Sequence, residues 1–218
     1  MDASDAEIKK RFVDTARSGT FKNILDAHGL RSSRVLDIGC SNGEFLSHFG
    51  AGSVGLTIME HEARYGERAG LDIRLGNIES TDIPIAEHER FDAVFANNVL
   101  EHMYAPHEFL VRLRDFLTDD GFAIIGVPCI PLVAPLMKLR KFRGSLAKSH
   151  INFFTKHTLK KTIERAGWRV DVLRSFHAAS PFLDRLLTPI SPHFYAVATP
   201  DPSFMDDKNR TFKLGPSL

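Results

Sequence analysis

The sequence predicts an α/β domain built on an open, mostly parallel sheet wound on both faces by helices. Three observations predict it. From residue 34 onward, apolar and β-branched runs alternate with helical patterns, as βαβ units do. The first of these runs ends in a glycine-punctuated turn, RVLDIGCSNGEFL at 34–46, placed where open sheets bind ligands. The chain has 218 residues, 43% hydrophobic and 25% charged, which suits one core and is too short for two large domains.

Two short amphipathic helices are expected within residues 1–30, one on Ile8, Phe12, Val13 and Ala16, the next on Phe21, Ile24 and Leu25, lying over the sheet's open end as a lid or an extra flank. Strands are expected near 34–39, 53–57, 72–76, 91–96 and 122–127. Between them 44–49, 60–69 and 106–117 read as helices, the last because Phe109, Leu110, Leu113, Phe116 and Leu117 recur at three- and four-residue steps. A proline-rich stretch then leads to a helix near 156–166, closed by Gly167, and to two further strands at 168–176 and 193–199. The expected organisation is one domain over 1–200 with an insertion at 129–150, followed by a loose polar tail at 201–218.

The net charge of +1 hides an uneven distribution. Residues 1–120 carry 13 basic and 21 acidic side chains, residues 121–163 carry eight basic and no acidic ones, and residues 164–218 carry seven and six. The balance excludes an acidic disordered chain and a polyanion-coating protein. With only Cys40 and Cys129 and no paired Cys/His spacing, a disulfide scaffold and a structural metal are disfavoured. The first 30 residues are charged throughout, so no secretory signal is read, and a cytoplasmic protein is the simplest expectation. The longest uncharged run, 121–137, contains Pro128, Pro131 and Pro135, which argues against a spanning helix.

Two nucleotide-binding patterns fail at the turn. A phosphate loop needs Lys and a hydroxyl where Glu44 and Phe45 stand, and the GxGxxG fingerprint needs glycines at 39, 41 and 44, where only Gly39 matches. What fits is D-x-G-x-x-x-G: Asp37, Gly39 and Gly43.

With that spacing, VLDIGCSNG resembles the first motif of the class I S-adenosylmethionine-dependent methyltransferases, and FDAVFANNVLEHM (91–103), TDDGFAIIGVP (118–128) and SHINFFTKHTLKKTIERAGWRV (149–170) resemble later segments in the same order. The resemblance covers roughly 20–200 and is nearest the quinone and natural-product subgroup. It implies a Rossmann-like, doubly wound, seven-stranded, mostly parallel sheet of order 3-2-1-4-5-7-6 with the last strand antiparallel. It also implies S-adenosylmethionine as cofactor, and methyl transfer to the oxygen, carbon or nitrogen of a small or lipid-like acceptor. In that strand order Cys40 and Cys129 lie about 10 Å apart at ~4.8 Å per strand, beyond the ~7 Å reach of a disulfide, so free thiols are expected.

The resemblance assigns cofactor contacts to Asp37, Gly39, Cys40, Ser41 and Gly43. The resemblance places Asp37 at the methionine end, and a ligand-facing role is favoured because an ionised acid ending a buried strand needs a partner. Thr57 departs from the family's ribose-binding acid. Thr57 itself, Ile58 and Glu60 are the candidates around the ribose, with Glu60 read equally as a solvated helix-start acid. Asn77 and Ile78 fall around the adenine, the plain reading of Asn77 being a Gly-Asn turn, and Asn97 ends the fourth strand. His102 and His150 are the candidate catalytic groups, each weighed against a structural role, and metal dependence is disfavoured because NNVLEH offers only Glu101 and His102.

The basic residues Lys138, Arg140, Lys141, Arg143, Lys148, Lys156, Lys160 and Lys161 have three readings: a solvated helix, a clamp for an anionic acceptor, or an interfacial anchor for a lipid-like one. Nucleic acid ranks last as a partner. The rival to the enzyme is a non-catalytic S-adenosylmethionine- or S-adenosylhomocysteine-binding protein of the same fold, suggested by Thr57.

Overall fold

The computed structural model describes residues 4–81, 83–139, 144 and 146–204. Ser4 opens α1 (Asp5–Arg17) with a reciprocal capping box to Glu7, and Ser18 both ends α1 and caps α2 (Gly19–Ala27) by accepting from the Phe21 N–H. The sheet follows as β1 (Val35–Ile38), β2 (Val54–Thr57), α3 (Glu60–Ala69), β3 (Ile73–Leu75), β4 (Phe91–Asn97), α4 (Pro106–Leu113) and β5 (Leu117–Pro128). The chain closes with α5 (Lys156–Arg165), β6 (Trp168–Arg174), α6 (Pro181–Leu187) and β7 (His193–Pro200).

The seven strands run β3-β2-β1-β4-β5-β7-β6, with β7 antiparallel to both neighbours and the other pairings parallel, as the resemblance implied. Because side chains alternate along a strand, Val35 packs with Phe95, Ile124 and Val197 beneath Phe21, Ile24 and Leu25 of α2. Leu36 and Ile38 pack in a second cluster with Leu110 and Leu113 of α4, Leu159 and Ile163 of α5, and Trp168. The Trp168 indole N–H donates to the Leu110 carbonyl at 2.9 Å, so the largest buried side chain is satisfied. Both cysteines are free and buried, and burial pushes the Cys129 thiol up to about 12.

The N-terminal helices divide the two expected roles. α2 is a flank on a sheet face, whereas α1 reaches the turn after β1, where Arg11 lies 3.9 Å from Glu44 and Phe12 stacks obliquely on Tyr65 of α3 at 6.0 Å.

Three expectations are corrected. Residues 44–49 do not form an α-helix: after one α-type bond from the Ser47 N–H to Gly43, the chain tightens into a 3-10 turn over Leu46–His48. Gly50 then donates to the Leu30 and Ser33 carbonyls, leaving too few residues to offset helix nucleation. The 106–117 helix stops at Leu113, because Leu117 already pairs with Phe91 as the first residue of β5; the buried Phe116 and Leu117 serve the turn and the strand. Within the proline-rich segment, Ala134–Lys138 forms a 3-10 helix and not an α-helix. Arg140, Lys141 and Arg143 lie outside the described residues, as does 205–218 of the tail. The tail's first residues are docked: Asp201 donates its N–H to Gly167, and the Arg114 guanidinium lies 5.1 Å from the Phe204 ring.

The sequence reading had no helix at α6. It is held by Asp184, fully buried, whose carboxylate accepts from Ser175 Oγ at 2.7 Å and from the N–H groups of Phe176, His177 and Ala178 at 2.8–3.3 Å. Burial alone would raise this carboxyl, but these donors outweigh it and hold it below its usual range.

Candidate functional site

β1, β2, β4 and β5 end at one edge of the sheet, and β7 begins there, since Pro128 pairs with His193. Beyond β1 the backbone turns through Gly39 (φ 71°), Ser41 (φ 51°) and Gly43 (φ 92°). A Cβ on Gly39 would stand 2.7 Å from Val99 Cγ2, so that position accepts nothing larger than glycine without repacking.

The turn gathers polar atoms that are buried and unpaired. Asp37 is 2% exposed, Asn42 2% and Glu44 5%. Asp37 Oδ2, Asn42 Nδ2 and Glu44 Oε1 have no hydrogen-bond partner among the described residues. Burial, reinforced by the Glu44 charge, pushes the Asp37 carboxyl well above its usual range, with only the Leu46 N–H acting the other way. Burial also raises Glu44, opposed by backbone N–H groups and by Arg11. Two acids and an amide donor stored dry at a strand end are costly unless a ligand completes them. Their chemistry suits a zwitterion, with a cation for the acids and an anion for the Asn42 amide and Arg11.

At the end of β2, Thr57 Oγ1 donates to Glu62 Oε2 and accepts the Met59 N–H at 3.1 Å. Ser41 Oγ donates to the other Glu62 oxygen at 3.0 Å. The acid beside this loop is therefore Glu62, which the sequence reading missed. Glu60, the expected candidate, faces outward and pairs with Arg64 at 2.6 Å. Spacing was the available signal: Glu62 is the third helical residue after the Met59 cap, and an acid there reaches back over the helix start.

The remaining expected contacts separate. Ile58 is 68% exposed beside the loop, whereas Ile78 is buried in the core. Asn77 Oδ1 accepts the Glu79 N–H at 2.9 Å in a local turn. Asn97 ends β4 with a buried, unpaired Oδ1, and the next residue, Asn98 (φ 57°), accepts from His193 Nε2 at 2.9 Å.

Across from this turn, a 3-10 turn over Leu100–His102 follows β4. The segment ahead of α5 is stitched onto it: the Ile151 and Asn152 N–H groups both donate to the Glu101 carbonyl at 3.0 Å, and Asn152 Nδ2 donates to Met103 O at 2.7 Å. This clamp brings His150 against His102, with ring centroids 4.8 Å apart and nearly perpendicular. Between them sits Glu101, 1% exposed, neither carboxylate oxygen of which has a hydrogen-bond partner among the described residues. Burial raises the Glu101 carboxyl to about 7, offset in part by its own backbone N–H and by His102. The two expected catalytic histidines are thus brought together around a third group.

The comparisons agree with this architecture. A family model described as a methyltransferase domain matches residues 10–173. The ubiquinone biosynthesis O-methyltransferase of Roseobacter denitrificans is 30% identical over 121 residues, covering 52% of this chain and 48% of the relative. The (S)-coclaurine N-methyltransferase of Papaver somniferum is 31% identical over 104 residues, 44% of this chain and 29% of that protein. The chain spans about half or less of the length of the curated relatives it matches. An S-adenosylmethionine-dependent methyltransferase structure from Thermotoga maritima superposes with a TM-score of 0.62 at 15% identity, covering 90% of this chain and 96% of that one. A second, from Mesorhizobium loti, gives 0.60 at 16% identity over 84% and 99%. The chain belongs to the methyltransferase-domain family.

Proposed function

We propose that this enzyme methylates a small molecule seated between the end of β4 and the His150–Asn152 segment, with the cofactor held along the ends of β1 and β2. S-adenosylmethionine supplies a methyl carbon on a sulfonium, which transfers by in-line displacement. The residues present fit its parts. Asp37 and Glu44 face its ammonium, Asn42 its carboxylate, and Glu62, oriented by Ser41 and Thr57, its ribose hydroxyls. Glu62 thereby returns the acid that Thr57 displaced, which weighs against the non-catalytic alternative.

The observation that carries the acceptor side is the dry, unpaired Glu101 carboxylate between two imidazoles. His102 donates its Nδ1–H to the Ser149 carbonyl at 2.9 Å, so its Nε2 lone pair turns toward Glu101, whose unpaired carboxylate can take a hydroxyl proton. Segments leaving β5 and entering β7 expose Leu132, Leu139 and Leu146 on one side and Phe182 and Leu186 on the other. With the basic excess of 121–163, they suit an acceptor with an apolar body or an anionic group, and peripheral contact with a membrane surface. Among the described residues no helix is long and apolar enough to cross one. Relatives named for ubiquinone precursors and an alkaloid support a small acceptor.

The test is S-adenosylhomocysteine release across phenolic, quinol and amine acceptors. We expect turnover with a hydroxylated aromatic acceptor, and His102→Gln to lower kcat about 10²-fold or more while cofactor Kd stays within twofold. Unchanged kcat in that variant would remove the acceptor from this cluster.

A further inference from the structure

We infer that Glu101, His102 and His150 form a binding site for a divalent transition-metal ion of the zinc type. The inference rests on the proposed position of the acceptor, whose oxygen would take an open coordination place.

Four observations converge. One ligand atom from each residue lies within 4.8 Å of the others, and both histidine Nε2 atoms stand 3.9–4.0 Å from Glu101 Oε1. These separations are too long for hydrogen bonds, yet within about 1.4 Å of the ~3.4 Å edge that a tetrahedral ion with bonds of ~2.0–2.1 Å imposes. Glu101 is 1% exposed and neither of its oxygens has a hydrogen-bond partner among the described residues, so the cluster holds a dry carboxyl group that a bound cation would complete. His102 has the supporting contact that ligating histidines use: its Nδ1–H is held by a backbone carbonyl, turning Nε2 inward. The third ligand arrives by design of the loop, since the Ile151 and Asn152 N–H bonds to Glu101 O fix the residues directly after His150.

Two imidazoles and one carboxylate suit zinc, cobalt, nickel or iron better than magnesium, which prefers an all-oxygen shell. Three protein ligands leave at least one position open, the arrangement that lets a bound ion polarise an acceptor oxygen. The expectation from NNVLEH alone counted two ligands; His150, 48 positions beyond His102, supplies the third.

The experiment uses the full, untagged chain, stripped with chelator and titrated with Co²⁺, Zn²⁺ and Mg²⁺. We expect one Co²⁺ per chain with visible absorption of a four- or five-coordinate ion, displacement by Zn²⁺, and no competition from Mg²⁺ at a hundredfold excess. His150→Ala and Glu101→Gln should each weaken Co²⁺ binding about tenfold or more, with circular dichroism and S-adenosylmethionine affinity unchanged to show that each variant is folded. Absence of stoichiometric binding, or binding that neither folded variant weakens, overturns the site. The two readings fail separately. If His102→Gln lowers kcat but stripped protein takes up no stoichiometric Co²⁺, the acceptor stands and the ion falls. If cobalt binds and both variants weaken it, yet His102→Gln leaves kcat unchanged, the ion stands and the acceptor lies elsewhere.

Discussion

Thr57 donates its hydroxyl to Glu62, tying the end of β2 to the first turn of α3. The threonine that looked like a lost ribose contact is an orienting group for an acid five residues on. Glu62→Gln should therefore weaken S-adenosylmethionine binding about tenfold, in keeping with ~1.5–3 kcal/mol for a hydrogen bond to a charged group. Thr57→Val should weaken it less, and Glu60→Ala should leave calorimetric Kd within twofold because Glu60 pairs only with the exposed Arg64.

Asp37 is held dry near the end of β1 with Oδ2 unpaired among the described residues, a cost to the free protein that a bound cation would offset. Asp37→Asn should raise Tm of the cofactor-free protein and weaken cofactor binding at least tenfold. A bound cation lowers the raised carboxyl pKa values of Asp37 and Glu44, so over the pH range in which either is partly protonated the wild type should release protons on binding. Calorimetry in buffers of different ionisation enthalpy reads that release, and its absence would mean that neither acid meets the cofactor's charge.

Asp184 organises the turn between β6 and α6 through four donors and stands 3.9 Å from Arg174. Asp184→Ala leaves those donors unmet in a buried place and should cost about 3 kcal/mol or more in urea unfolding. Since its folded pKa is depressed, its contribution is present above the unfolded carboxyl range and is lost as pH falls through the folded value.

His193 opens β7 against Asn98, and burial depresses its pKa to about 4, with the neighbouring His177 adding to the effect. Above its ordinary value of 6.5, both folded and unfolded forms are neutral. Between 6.5 and about 4 the unfolded chain binds a proton that the folded one refuses, so stability falls with pH by up to about 1.4 kcal/mol per unit from this group. His193→Gln should flatten that slope in denaturant titrations; an unchanged slope would place the proton elsewhere.

The fold was legible because its signals are local. The 34–38 run, the Gly39 and Gly43 turn and the alternation of strand with helix each lie within a few residues of chain, and α3 fell at the bounds its periodicity indicated. The burial of Asp37 needed only its place near the end of a buried strand. Errors arose where a tertiary contact overruled local pattern: Gly50 bonded to Leu30 and Ser33 halts the helix after Gly43, and Leu117 pairing with Phe91 ends α4 early.

By itself, then, the sequence determined the order of strands and helices, the glycine turn after the first strand, and the uneven charge. Only the tertiary structure decided which acid sits beside that loop and what surrounds Glu101. Glu62 outcompetes Glu60 because a helix turns successive side chains by about 100°, a choice made by the direction α3 leaves β2. His150 meets His102 because the Ser149–Asn152 backbone bonds to the turn after β4, a pairing across nearly 50 residues that no local pattern encodes.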